Sequence, residues 1–245
     1  MKIRLLKPLL IVGVLLMIWQ MVATLGSFPH YIFPSPQAVG QQLFTHAELL
    51  WQHTQVTLLE ICLGLLLGFL FGLISALLLS FSRQISAVLL PILVISQAIP
   101  VFAIAPLLVL WFGYGMASKI VMSVLIIYFP VTAACYDGLR NTPQAWLDLA
   151  KTFNISPLRL LLKVRLPAAL PAFASGLRIA VSVAPIGAVV GEWVGSSEGL
   201  GYLMIHANAR MQVDLMFAAL LSLVSISLCL DFSIDWLLHR FIWSV

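Results

Sequence analysis

Between Val56 and Phe81 the chain reads VTLLEICLGLLLGFLFGLISALLLSF, a run in which Glu60 is the only charged residue. So apolar a stretch has few options. Hydrocarbon about 30 Å thick is crossed by about 20 helical residues, and there every backbone polar group must find its partner inside the protein. Comparable runs recur at about Leu9–Leu25, Ile85–Phe112, Ala117–Tyr136, Ala169–Val190 and Leu215–Leu238. The whole chain is 62% hydrophobic and 9% charged, against roughly 25% charged in soluble domains. The sequence therefore predicts an all-α integral membrane protein with about six transmembrane helices. No soluble domain is expected within its 245 residues.

The first run could pass for a signal peptide, but its apolar part is long and VATLGS is a poor cleavage site, so a retained span is expected. Pro29, Pro34 and Pro36 then mark a turn-rich connection. A short amphipathic helix is expected after Pro36, with Val39, Leu43, Leu49 and Leu50 on its apolar side. In the second span Gly64, Gly68, Gly72, Ala76 and Ser80 recur every four residues, a smooth stripe for close helix packing. The fifth repeats the pattern with Ala172, Gly176, Ala180, Ala184 and Ala188, and Pro185 and Gly187 should bend it. The third is expected to be broken at Pro91, Pro100 and Pro106. A polar connection is expected from Gly191 to Asp214. Cys62, Cys135 and Cys229 lack metal-ligand spacing and read as small buried hydrophobes. No metal or cofactor is expected.

The basic residues set an orientation. With a cytoplasmic N-terminus, Lys2, Arg4, Lys7, Arg83, Arg140, Lys151, Arg159, Lys163, Arg165 and Arg240 lie inside, and Lys119 and Arg210 outside. Both termini are then cytoplasmic, and so is the charged segment Thr142–Pro171. Its pattern predicts two short helices and a hinge. Asn141 or Thr142 can cap the first, Pro143 suits its first turn, and Trp146, Leu149, Ala150 and Phe153 share one face. Asn154 suits the left-handed conformation that ends a helix. Ser156 and Pro157 start the second helix. By itself the apolar face fits either a helix lying on lipid headgroups or a knob that docks on a cytoplasmic partner.

The segment DLAKTFNISPLRLLLKVRLP resembles the EAA loop of ABC importer permeases, whose pattern is E-A-A, three residues, Gly, nine residues, I-x-L-P. Asp148, Leu149 and Ala150 stand for E-A-A, Asn154 for the Gly, and Val164, Leu166 and Pro167 for I-x-L-P. FPSPQAV resembles the L-P-S-P stretch of the nitrate/sulfonate/taurine branch, and the sequence from Pro167 to Leu203 resembles that branch's fifth span and the signature after it. The resemblance implies a type I importer permease in the bacterial inner membrane, with a first span and periplasmic connection (1–54), a core of spans 2–6 (55–240) and a cytoplasmic EAA-like loop (137–167). It implies a homodimer, an ATPase subunit docked on each loop, a periplasmic solute-binding protein, contact with lipid and no nucleic acid. Asp148, Leu149, Ala150, Phe153, Asn154, Leu166 and Pro167 are the expected ATPase-docking residues.

For the translocation path the candidates are Gln97, Pro100, Pro185, Gly187, Glu192 and Trp193. Arg178, inside the fifth span, is expected to pair with Asp137 or Asp148. Glu60 stands where the anion-importing relatives carry Arg, which favours a neutral or cationic solute such as a thiamine-precursor pyrimidine over nitrate, sulfonate or taurine. No G-x-x-x-x-G-K-[ST] occurs, so ATP must be hydrolysed on another subunit. An ion-coupled secondary transporter would want carboxylates near the bilayer midplane, whereas Glu60, Asp137, Glu192, Asp231 and Asp235 fall near span ends. No H-E-x-x-H or G-x-S-x-G suggests an intramembrane enzyme.

Overall fold

The computed structural model describes residues 2–26, 29, 31–81 and 83–242, with side chains from residue 10 onward except those of 83 and 241. The side chains of Lys2, Arg4, Lys7 and Arg83, used in the orientation argument, lie outside that description. The described residues form helices α1 (Lys2–Leu25), α2 (Pro36–Thr45), α3 (Ala47–Phe81), α4 (Arg83–Ala98), α5 (Val101–Phe112), α6 (Met116–Arg140), α7 (Gln144–Thr152), α8 (Pro157–Leu160), α9 (Leu166–Gly195), α10 (Leu200–Ala209) and α11 (Val213–Phe241). A π-helical turn, Leu161–Arg165, joins α8 to α9. Four of these stretches are long and apolar enough to cross a membrane, and α4 with α5 makes a fifth, bent by 98°. α1 adds 24 residues, with Leu10–Leu25 as a shorter apolar stretch.

The chain forms two compact units, one of Met1–Val56 with Glu198–Ser225 and the other of Thr57–Ser197 with Ile226–Val245. In the first, Trp19 donates its indole N–H to the Pro34 carbonyl (3.0 Å) and packs on Phe33 and Phe217. Ser35 caps α2 by accepting the Ala38 N–H, and Val39 is fully buried. The expected polar connection contains α10. Its Leu200, Leu203, Met204 and Ala207 are buried at helical spacing, which the neighbouring polar residues obscure. α10 ends with Met211 in the left-handed region (φ 58°) and the Gln212 N–H bonded to the Ala207 carbonyl.

In the second unit α6 packs between α3 and α9. A methyl placed on Gly64 would lie 2.5 Å from Ser123 Cβ, on Gly68 2.7 Å from Ile127 Cγ2, and on Gly72 2.8 Å from Val131 Cγ1. Both helices thus advance by four residues together and run parallel. On α9, Gly176 meets Ala134, Gly187 meets Ser123 and Gly191 meets Lys119, so its order is reversed and it runs antiparallel to α6. The predicted small-residue stripes are these two contact faces. Lipid tails are as apolar as leucine, so contact depends on backbone approach rather than on escape from water.

The parallel α3 and α6 also decide what the bent pair does. α3 ends at Phe81 where α6 will finish, so α4 and α5 carry the chain back across before Met116. The third span breaks at one proline rather than three. Pro100 lacks an N–H and keeps Ile99 out of the helical region, while Pro91 and Pro106 lie within continuous helices. α9 likewise continues through Pro185. Of the cysteines expected to be buried, only Cys135 is; Cys62 and Cys229 are exposed, because a membrane helix presents apolar residues outward as well as inward. Arg178, expected to pair with Asp137 or Asp148, forms an ion pair with Asp235 of α11 (2.5 Å).

Gly187 tests the packing. Replacing it with Val brings a side chain to 2.8 Å from the Ser123 Cα, a backbone atom. Such overpacking costs about 1–3 kcal/mol, and a lower melting temperature of the purified chain is expected.

Candidate functional site

α7 begins just after Pro143, whose carbonyl accepts the Trp146 N–H. The predicted side-chain cap is absent. Thr142 instead donates its hydroxyl to the Leu139 carbonyl (3.0 Å), closing the end of α6. The other end of α7 follows the sequence closely. Asn154 adopts φ 48°, the Ile155 N–H bonds to the Ala150 carbonyl and the Asn154 N–H to the Lys151 carbonyl. This paired closure satisfies two otherwise orphaned carbonyls and needs a left-handed residue between them. Asn is one of the few side chains that tolerate it.

The segment is held firmly to the membrane helices. Leu139, Leu161 and Ala169 form a buried cluster joined by Leu77 and Leu166, so the end of α6, the π turn and the start of α9 move as one packed piece. Leu166 belongs to that cluster, and Ala150 is only 6% exposed. These two expected docking residues therefore support the loop from inside. Leu149 (60%) and Phe153 (72%), with Trp146, stand outside, where Asp148, Asn154 and Pro167 are exposed too. Between α7 and the π turn lies an apolar hollow of about 410 Å³, lined by Trp146, Leu149, Phe153, Val164 and Pro167 among others. Lys151 (2.8 Å) and Gln144 (3.0 Å) donate to Asp148 and hold its carboxyl below the usual range.

The opposite end of the second unit carries a buried ionic cluster that the sequence reading did not assemble. Lys119, in the first turn of α6, lies 2.5 Å from Glu60 Oε1 and donates to Ser196 Oγ (2.9 Å). Thr57 donates to Glu192 Oε1 (2.6 Å). Glu60, Thr57, Glu192 and Lys119 are all buried. Glu60 is thus matched to a cation inside the protein rather than presented to an entering solute, and its charge does not select against anionic solutes. Lys119, counted among residues outside the membrane, is an internal partner. Gly191 packs on Lys119 and brings α9 close to α6 at the cluster.

The remaining path candidates divide. Gln97 and Pro100 are exposed at the α4–α5 break, and Trp193 is 45% exposed at the end of α9. Pro185 and Gly187 are buried, with Gly187 against α6.

Removing one member of a buried ion pair costs about 3–5 kcal/mol, because the survivor is left uncompensated. Lys119→Met should lower the melting temperature of the purified chain sharply, and adding Glu60→Gln should restore much of the loss. Equal destabilisation by the single and double variants would remove the pairing argument. In the loop, Asn154→Val should cost about 1–2 kcal/mol through the left-handed backbone, while Asn154→Gly should melt no lower than the parent.

The model of the family "Binding-protein-dependent transport system inner membrane component" matches residues 68–243. A Haemophilus influenzae chain named "Probable ABC transporter permease protein" is 99% identical over 245 residues, all of both chains. The formylaminopyrimidine transport permease protein ThiX of Halalkalibacterium halodurans is 41% identical over 198 residues, 80% of this chain and 79% of the relative. Among solved structures, the MetNI methionine ABC transporter in an inward-facing conformation superposes with a TM-score of 0.68 at 22% identity, covering 80% of this chain and 97% of that one. That likeness concerns the fold. Helices packed around α6, an EAA-like loop built as two helices and a family match over most of the length lead to one conclusion: the chain belongs to the inner-membrane components of binding-protein-dependent transport systems, the permease subunits of ABC importers.

Proposed function

We propose that this chain, as a homodimer, forms the membrane pathway of an ATP-driven importer whose two loops each dock one cytoplasmic ATPase subunit, and that a periplasmic protein delivers the solute. The observation that carries this reading is the loop itself. It presents Trp146, Leu149 and Phe153 outward while Leu139, Leu161, Leu166 and Ala169 bind it to the transmembrane helices. A protruding apolar ridge on a stiff base suits the transmission of movement. ATP-driven closure of the ATPases would draw the paired loops together and open the pathway outward, and release after hydrolysis would return it inward. The break at Pro100, with Gln97 beside it, and Trp193 are the proposed points of contact between pathway and solute. The basic residues of the loop support a cytoplasmic location for it.

For the solute we propose a formylaminopyrimidine-type precursor of thiamine. The support is the 41% identity to a permease named for formylaminopyrimidine transport.

Because Ala150 is buried, Phe153 is the better probe of docking. Phe153→Asp places a charge where an apolar anchor is expected, and loss of a central interface anchor weakens binding by about 30-fold or more. Co-purification of the ATPase should fall by that order while the melting temperature of the permease stays within a few degrees. Undiminished ATPase recovery would remove the docking role. Proteoliposomes of the complete transporter should take up formylaminopyrimidine when ATP is enclosed with the ATPase; uptake of taurine and no pyrimidine would overturn the solute assignment alone.

A further inference from the structure

Two hollows adjoin at the loop end of the second unit, neither part of the docking ridge nor of the ionic cluster. The first, about 500 Å³, is lined by Ser80, Ser86, Tyr136, Arg140 and Arg165, with Leu79, Phe81 and Leu139 completing its wall. Its size falls in the range of about 300–1,000 Å³ usual for small-ligand sites. The second, about 190 Å³, shares Leu79, Tyr136 and Arg140 with the first and is otherwise mostly apolar, running between α4 (Leu90, Leu93, Val94) and α6 (Phe129, Ala133).

Arg140 ends α6 and Arg165 ends the π turn, so two separate elements bring guanidiniums to one hollow. Neither has an ion-pair or hydrogen-bond partner among the described residues, and Arg165 Nε is buried without an acceptor. Asp137, a carboxylate on the lining of the second hollow, pairs with neither arginine. A buried guanidinium N–H without an acceptor is costly, and the planar fork matches a phosphate bidentately. A polar pocket with two arginines that shares its wall with an apolar hollow along a membrane helix matches an amphiphile. Basic pockets between transmembrane helices are known to hold anionic lipid headgroups.

We propose that these hollows form a binding site for one anionic phospholipid, its phosphate held by Arg140 and Arg165 and part of an acyl chain lying in the trough between α4 and α6. The hydroxyls of Ser80 and Tyr136 line the headgroup pocket, and Leu93 and Ala133 face the chain. The occupant fills the space that separates α4 from α3 and α6 and bridges the two ends of the loop. The site depends on the fold alone and stands whichever partner the loop engages.

The test is native mass spectrometry of the full-length chain purified in mild detergent from membranes containing phosphatidylglycerol and cardiolipin. One anionic phospholipid should remain bound per chain after delipidation, with phosphatidylcholine failing to replace it in exchange. Arg140→Gln and Arg165→Gln should each reduce retention about tenfold or more, the scale of a charge-assisted bond, and Arg140→Lys should fall between Gln and the parent. Ala133→Phe obstructs the trough while leaving both guanidiniums in place, and it should release the lipid too; it keeps the test readable if an arginine variant fails to fold. Retention unchanged in all four variants, or equal for phosphatidylcholine, would overturn the site. If inorganic phosphate displaces the lipid or raises the melting temperature as well as phosphatidylglycerol does, and Ala133→Phe has no effect, the pocket takes a soluble anion and the lipid assignment fails.

Discussion

The close approach of α6 to both α3 and α9 is the contact on which the second unit depends. With lipid outside and side chains inside equally apolar, burial alone offers little preference for one arrangement over another. Glycine and alanine supply that preference by letting backbones meet at distances no larger residue allows. The four-residue advance shared by Gly64, Gly68 and Gly72 with Ser123, Ile127 and Val131 sets which faces meet and how closely. A slip of one turn would present the same small-residue stripe again, so the stripe chooses the faces and something else must choose the turn. The same geometry brings Glu60 and Lys119 to one level, so the ion pair and the glycine contacts support one register.

From that register the loop inherits its stiffness. α6 and α9 lie antiparallel and in contact near Gly138 and Ala172, so the segment between them starts and ends on a fixed pair of helices. The cluster of Leu139, Leu161 and Ala169 closes the gap at its base. A force on Phe153 therefore meets packed helices within a few residues. At the other end, Lys119, Glu60, Glu192 and Thr57 join α3, α6 and α9 through charge and hydrogen bonds. One end is anchored by apolar packing and the other by buried polarity, with smooth stripes between.

Much of this was legible in the sequence. Small residues at intervals of four announced the contact faces because helical geometry turns that spacing into a line. Asn154 announced its turn because few residues accept positive φ. The break at Pro100 was legible, but the persistence of helix through Pro91 and Pro106 was not, since tolerance of proline depends on what neighbouring backbone supplies. α10 was hidden because a short buried helix between polar loops has too few turns to show a period. The ionic cluster was hidden for another reason. Glu60, Lys119 and Glu192 are far apart along the chain, and nothing local marks a charge as internal. Read singly, Glu60 suggested a surface for solute; read with its partner, it is part of the interior. Leu166 shows the same limit in an apolar residue, whose outward or inward aim depends on a cluster assembled from several helices.

The π turn at Leu161–Arg165 adds one residue to the count of an otherwise continuous helical path from Pro157 to Gly195. An α-helix turns about 100° per residue, so this one residue rotates everything before it by roughly that angle about the α9 axis. α7 and α8 point where they do because of the surplus. Were the turn to tighten to α-helical pitch, Trp146, Leu149 and Phe153 would swing to a different azimuth and the contact of Leu161 with Leu139 would have to be remade. The bearing of the loop therefore depends on a residue count as well as on the packing of Leu161 at its base.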